Sequence, residues 1–348
     1  MLIGTRKNDR LIGSDQPEQI SGLEGNDTIQ GSGGSDTLNG GQGNDLLFGF
    51  KDYDDQDFNE QWLTLFGNDI DYLYGGAGND IYVLDSWTTG ESGGDIIVED
   101  VNAGTDTILG SVSKSHPTFY MPLNVEYYVS DTRLTDNDQP VYVEIFGNES
   151  NNIIQTSPAR WSNLDKLTTA INETFNSYEK FYGGGGNDTL KSGAGNDWLE
   201  GGEGNDQLFG GADSDTLIGG SGSDQLTGGA GRDVFVLAAG DGAVSAKGCD
   251  QIKDFKFTDG DQIKLTDLAE IDCHVRDFKE SSFASAQADA NKDFSQGLNV
   301  SIQFVGSNAL VFVDFNEDGR ADSVITLIGL KAGNNAFIDF AESGRMFV

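Results

Sequence analysis

The sequence is poor in proline, in cysteine and in positive charge. Five prolines in 348 residues exclude a proline-rich linker, and a collagen-like chain is excluded with it despite abundant glycine. Two cysteines, Cys249 and Cys273, permit one bridge at most and so no disulfide framework, with free thiols the equal alternative. Lys and Arg total 21 against 57 Asp and Glu, a net charge of −36, which excludes nucleic acid as a partner. No apolar run approaches the roughly 18 residues of a membrane-spanning helix. The opening residues MLIGTRKNDR hold no apolar stretch of the kind a cleaved signal peptide needs, so none is expected. Hydrophobic residues make up 36%, too few for a conventional compact core, while 21 Phe and 10 Tyr are too many for a solvated acidic tail. Something besides an apolar interior must hold the chain together.

Glycine is what the chain has in excess: 48 residues, about twice the usual share of about 7%. Its placement is periodic. Asp recurs every nine residues at Asp188, Asp197, Asp206, Asp215, Asp224 and Asp233. In the block 183–236 a unit such as GGEGNDQLF has glycine first, second and fourth, Asp sixth and a large apolar residue eighth. Those eighth residues are Leu190, Leu199, Leu208, Leu217, Leu226 and Phe235. A second block reads GLEGNDTIQ from Gly22, GSGGSDTLN from Gly31, GGQGNDLLF from Gly40 and, after an insertion, GGAGNDIYV from Gly75, which places Asp27, Asp36, Asp45 and Asp80 at the sixth position. Upstream, GTRKNDRLI and GSDQPEQIS keep the register and lose glycines.

Glycine-rich turns expose backbone carbonyls, and aspartate adds charge. An all-oxygen donor set without His or Cys suits a hard cation, calcium, and argues against zinc, copper or iron. The candidate ligands are those ten Asp residues together with the carbonyls of Gly40, Gly41, Gly43, Gly183, Gly184, Gly186, Gly201, Gly202, Gly204, Gly219, Gly220 and Gly222. Several ions are expected. Two carboxylates about 4 Å apart repel by about 4 kcal/mol at an effective dielectric of 20, and a bridging cation reverses that sign. The repeats are accordingly expected to be disordered where calcium is scarce and to fold at about 10⁻⁴–10⁻³ M calcium.

The nonapeptide G-G-x-G-x-D-x-U-x resembles that of the RTX, or haemolysin-type calcium-binding, proteins. The resemblance implies an all-β fold, a parallel β-roll in which the six-residue turns alternate sides, x-U-x forms a short strand and one coil takes eighteen residues. It implies cations between turns two repeats apart. That pairs Asp188 with Asp206, Asp197 with Asp215, Asp206 with Asp224, Asp215 with Asp233 and Asp27 with Asp45, and more weakly Asp9 with Asp27 and Glu18 with Asp36. The fourth main unit, GGADSDTLI, has Asp213 where glycine belongs.

The expected organisation is a repeat block 1–83 with an inserted loop 50–66, a β-rich connector 84–155, a helical insertion 156–182, the main repeat block 183–236 and a C-terminal cap 237–348. Tyr82 and Phe235, aromatic at the eighth place, are expected to plug the ends of their blocks. In the loop 50–66, Asp52, Asp54, Asp55, Asp57 and Glu60 alternate with Phe50, Tyr53, Phe58, Trp62 and Phe66, which fits a surface loop folded onto the roll. Ser162 with Asp165 resembles a capping box, with Leu164, Leu167, Ile171 and Phe175 on one helical face. In the connector, Asp106 and Glu126 are structural candidates. DFNEDGRAD, with Asp314, Asn316, Asp318 and Gly319, mimics the start of an EF-hand loop, but Ile325 stands at the twelfth place, so a hairpin turn is the preferred reading.

DQIKDF and GDQIKL are similar to the C-terminal region of serralysin-type RTX exoproteins, which caps the roll and carries a type I secretion signal. That implies export by an ABC transporter, although Arg345 before Met346, Phe347 and Val348 departs from the usual acidic ending. GESGG matches the nucleophile elbow G-x-S-x-G at Ser92, yet strand-like DIIVED follows where a helix belongs, and H-E-x-x-H is absent. No catalysis is expected. The expected function is a secreted, extracellular or cell-surface calcium-binding protein with a structural or adhesive role, self-association or cell-surface polysaccharide being the contemplated partners. The alternative is an RTX exoenzyme, lipase-like or polysaccharide-modifying, or its binding module.

Overall fold

The computed structural model describes residues 1–50, 70–84, 95–101, 103–110, 118–130, 142–156, 178–241, 245, 248–266, 268, 273–280, 282–330, 339–340 and 344–345. It forms two compact units, Met1–Phe175 and Asn176–Val348.

In the first unit the chain makes short strands, β1 (Leu2–Ile3), β2 (Arg10–Ile12), β3 (Gln19–Glu24), β4 (Thr28–Ser32), β5 (Thr37–Gln42), β6 (Leu46–Phe50), β7 (Tyr72–Ala77), β8 (Ile81–Val83), β9 (Ile96–Val98) and β10 (Thr107–Gly110). The connector continues with β11 (Thr118–Tyr120), β12 (Tyr127–Ser130), β13 (Tyr142–Phe146) and β14 (Ile153–Thr156). Strands alternate between two ladders. One runs β1-β3-β5-β7-β9 and the other takes in β2-β4-β6-β8-β10-β12-β14, every pairing parallel. This is a parallel β-roll.

Its cause is the period. Nine residues make one strand and one turn, so residues eighteen apart come into register, as Ile29 with Leu47 and Ile20 with Leu38. The eighth-place side chain alone points inward. Ile29, Leu38, Leu47, Leu73 and Tyr82 are each 0% exposed. The insertion shifts the sequence spacing and leaves the register intact, since Leu47 still pairs with Tyr82 and Leu38 with Leu73.

The second unit repeats the scheme in β15 (Tyr178–Gly185), β16 (Thr189–Ala194), β17 (Trp198–Gly204), β18 (Gln207–Ala212), β19 (Thr216–Gly222), β20 (Gln225–Ala230), β21 (Val234–Leu237), β22 (Asp250–Ile252) and β23 (Gln262–Leu265). Leu190, Leu208, Leu226 and Ile252 stack along one side, and Phe181, Leu199, Leu217, Phe235 and Ile263 along the other. The stretch expected to be helical, 156–182, ends instead as strand, because Phe181 takes the inward position opposite Leu199. Its predicted helix, with Ser162 and Asp165, lies outside the described residues, as do Ser92 and loop residues 51–66.

The cap is built differently. β24 (Cys273–Glu280), α1 (Phe283–Phe294), β25 (Val300–Val305), β26 (Asn308–Val313) and β27 (Ser323–Leu327) form a mixed sheet under one helix, and β28 (Asp339–Phe340) and β29 (Gly344–Arg345) extend the other ladder. Helix α1 starts at Ser282, whose side chain accepts from the Ser285 N–H in a capping box. Ala286, Ala290 and Phe294, four apart, lie on the face that meets Leu310, Phe312, Val324 and Cys249. Cys249 is a buried free thiol with its Sγ 3.3 Å from Thr326 Oγ1. The one short helix among the described residues is therefore in the cap.

Candidate metal centre: a ladder of buried carboxylates

The sixth-place Asp sits just before the strand, two residues ahead of the inward apolar side chain, so the geometry that buries the leucine also buries the acid. Asp27, Asp36, Asp45, Asp80, Asp188, Asp197, Asp206, Asp215, Asp224 and Asp233 are each at most 3% exposed. Nine of these ten carboxylates, all but Asp188, spend one oxygen on a backbone N–H of the coil before. Oδ1 of Asp206 accepts from the N–H of Asp188 at 2.7 Å, that of Asp224 from Asp206 at 2.8 Å, that of Asp215 from Asp197 at 2.9 Å and that of Asp233 from Asp215 at 3.1 Å. In the first unit Asp27 accepts from Asp9 at 2.8 Å, Asp36 from Glu18 at 2.7 Å, Asp45 from Asp27 at 2.7 Å and Asp80 from Asp45 at 2.7 Å. The acids separated by two repeats thus meet, the glycine-poor turns at Asp9 and Glu18 included.

The second oxygen is what matters chemically. Oδ2 of Asp27, Asp45, Asp80, Asp206, Asp215, Asp224 and Asp233 is buried with no hydrogen-bond partner. An unpartnered buried carboxylate oxygen is costly unless a cation or proton meets it. Burial, the largest cause, together with neighbouring carboxylates lifts these groups far above 3.8: Asp45 to about 6, Asp80 and Asp224 to about 7, and Asp215 to about 8.

The glycines serve two purposes. The second and fourth of a unit have positive φ, +109° at Gly202 and +134° at Gly204, as expected of residues that bend the turn. The first does not. At Gly201 a Cβ would overlap Asp206 Oδ2 and the carbonyl oxygen of Gly219, so its bare Cα preserves a space lined by carboxylate and carbonyl. Gly183 and Gly40 do the same beside Asp188 and Asp45. Only two of the three glycines therefore serve positive φ. Asp213, in place of a fourth glycine, is forced to φ +77°. Orphaned oxygens beside carbonyls in a cradle only glycine leaves open fit a hard divalent cation.

The ladder extends past the nonapeptides. Asp106 accepts from Asp80, Glu126 from Asp106, Asp71 from Asp36 and Asp95 from Asp71, and in the second unit Asp197 accepts from Glu179, Asp250 from Asp224 and Asp261 from Asp233. Burial raises Asp250 to about 8. Sequence reasoning gave Asp106 and Glu126 only as structural candidates and missed the others. The signal was present: each is an acid two residues before an inward apolar side chain, as in Asp250-Gln251-Ile252 and Asp106-Thr107-Ile108. Fifth-place asparagines form a second ladder, Asn187 Oδ1 accepting from the Asn205 N–H at 2.8 Å and Asn26 Oδ1 from the Asn44 N–H at 3.0 Å.

The EF-hand-like loop is the turn of the β26–β27 hairpin. Both carboxylate oxygens of Asp314 are spent on backbone, Oδ1 accepting from Asp318 at 3.2 Å and Oδ2 from Gly319 at 2.9 Å.

These features define a β-roll protein with cation-binding turns. The RTX calcium-binding nonapeptide repeat family matches the chain in four copies, at residues 12–47, 67–86, 182–217 and 209–244. The chain therefore carries RTX calcium-binding nonapeptide repeats in both units. No curated protein matches it. Among solved structures it is similar to the extracellular lipase LipA from Serratia marcescens, 17% identical with a TM-score of 0.25, over 94% of this chain and 38% of that one. The chain thus spans well under half of that lipase, and so low a score carries no argument about fold or activity. No described helix is long and apolar enough to cross a membrane.

Proposed function

We propose that this protein is a secreted β-roll whose repeats fold when calcium reaches the stacked turns, and that it acts by binding and scaffolding, as a structural, surface or adhesive component. The single observation that carries this is the row of buried, unpartnered Oδ2 atoms of Asp27, Asp45 and Asp80 and of Asp206, Asp215, Asp224 and Asp233. With Oδ1 already accepting from the neighbouring coil, the second oxygen and the glycine carbonyls beside it are the groups that would hold an ion. Calcium, when bound, supplies the positive charge that lets two ionised coils stack.

The Asp residues position the backbone of the preceding coil and concentrate charge at each turn. The first glycines keep the turn open to carbonyl oxygen. The inward leucines hold the register that aligns one acid over the next. Before export, at low calcium, such a chain lacks the stabilisation to stay rolled, which suits passage through a type I transporter in an unfolded form. Outside, it folds.

Far-UV circular dichroism of the full chain across a calcium titration tests the folding claim, strand signal rising with calcium in the submillimolar range being expected. A spectrum unchanged by EGTA contradicts it. Light scattering tests the scaffolding role, with calcium-dependent growth in mass expected and a monomer at every calcium concentration contradicting it.

A further inference from the structure

One carboxylate cluster is built unlike the rest of the ladder. At Gly22 and Gly40 a Cβ would meet the sixth-place Asp and the carbonyl oxygen of the first glycine one coil on, as at Gly201. At Gly75 the second neighbour is instead the hydroxyl of Tyr82. That hydroxyl accepts from the Gly75 N–H at 2.8 Å and donates to Glu99 Oε2. Glu99 follows β9, whose register sets Val98 opposite Tyr74 and so brings Glu99 alongside Gly75. One ligand oxygen from each of Asp80, Glu99 and Asp106 lies within 4.8 Å of the others, and all three side chains are buried. Asp80 and Asp106 each spend Oδ1 on a backbone N–H and leave Oδ2 with no partner, at 1% and 0% exposure.

We propose that Asp80, Glu99 and Asp106 form a calcium site of their own at the end of the N-terminal repeats, with Tyr82 as the positioning residue that holds Glu99 toward it. The proposal rests on the calcium-binding reading of the repeats and extends it to residues outside the nonapeptide, since Glu99 and Asp106 lie beyond the matched segment 67–86. Elsewhere two acids and backbone carbonyls line the space. Here a third carboxylate stands in, and charge count raises the affinity of an oxygen-ligated calcium site. Three ionised carboxylates so close and so buried repel strongly without a cation. Tyr82, at an inward eighth place, does not plug the end of the roll as expected, since the ladder runs on and Ile108 of β10 stacks against it. Its ring fills the core while its hydroxyl orients the extra ligand.

The test is calcium titration of the full chain by equilibrium dialysis, comparing wild type with Glu99→Gln, Tyr82→Phe and Asp224→Asn. The tightest calcium of the wild type should weaken at least about 100-fold in Glu99→Gln and about 10-fold in Tyr82→Phe, the scale typical of removing a ligand's orienting partner. Asp224→Asn should leave that ion in place and lose a different one. Glu99→Gln should also raise the residual strand signal in EGTA, because it removes buried charge, and that gain has the opposite sign from a merely structural loss. Should Glu99→Gln fail to fold, Tyr82→Phe decides the question. Unchanged affinity and stoichiometry in the variants, with the chain still taking up several ions, overturns this site alone. No uptake by the wild type overturns the calcium reading as well.

Discussion

Within the second unit, two neighbouring stretches reach stability by opposite routes. The coils from β15 to β21 bury one apolar side chain per nine residues, with Asp beside it, and their glycines leave room for little else. In the cap, α1 lies on a sheet and shares with it the cluster of Ala286, Ala290, Phe294, Leu310, Phe312, Val324 and Cys249. The one buried carboxylate of that helix, Asp293, accepts from the Ser301 hydroxyl at 2.7 Å. Among the described residues the cap meets its buried carboxylate with its own hydroxyl and leaves only neutral atoms, Gln303 Oε1 and Ser323 Oγ, without a partner, whereas the coils leave Asp206, Asp215, Asp224 and Asp233 each with a carboxylate oxygen that no protein group meets. The lesson is that one chain combines coils whose buried carboxylates call for an outside cation with a cap whose buried carboxylate finds its partner within the protein.

The most damaging test of this contrast is steric. Gly204 combines φ +134° with a Cβ position overlapping the carbonyl oxygen of Gly186, so Gly204→Ala should cost at least about 3 kcal/mol and abolish the calcium-induced strand signal, since strain at positive φ adds to the clash. Thermal melts with and without calcium would check it. Leu208→Ala and Phe312→Ala sharpen the comparison, each expected to cost about 2–5 kcal/mol. The loss at Leu208 should be visible only with calcium present. That at Phe312 should persist in EGTA, where labelling of Cys249 in a Cys273→Ser background reads the opening of the cap.

Asp215→Asn and pH probe the same charge from two sides. Burial lifts Asp215 to about 8 and Asp224 to about 7 from 3.8, so the folded metal-free coils bind more protons than the unfolded chain between about pH 4 and 8. Acidification through that window therefore stabilises the metal-free coils, and the gain is gone once pH rises past about 8. Calcium competes with those protons, so its affinity should fall over the same range. Asp215→Asn should raise the residual strand signal in EGTA and shrink the increment calcium provides. Smallest is Asp213→Gly, which relieves a non-glycine residue at φ +77° and should stabilise the loaded roll by about 1 kcal/mol in denaturant titration.

Much of this was written in the period. Asp206 over Asp188 and Leu208 over Leu190 follow from a nine-residue unit doubled into a coil, and the degenerate turns at Asp9 and Glu18 keep their places because register survives loss of glycine. What spacing could not give was the continuation. Asp106, Asp250 and Asp261 join the ladder through strand pairing across turns of irregular length, at separations of 26, 26 and 28 from their partners. Only the local acid-x-apolar pattern marks them. Glu99 was not legible at all, since its meeting with Tyr82, seventeen positions earlier, depends on β9 pairing with β7. Helix α1 was overlooked because its inward face is mostly alanine, which weakens the apolar period that signals a buried helix.

The most direct measurement is the number of calcium ions held by the full-length chain at about 1 mM free calcium, within the range of weak extracellular sites, counted by equilibrium dialysis alongside far-UV circular dichroism in EGTA. Several ions per chain, with repeat strand signal lost on chelation, is the predicted result. A chain that binds none and keeps its full strand signal in EGTA would contradict it.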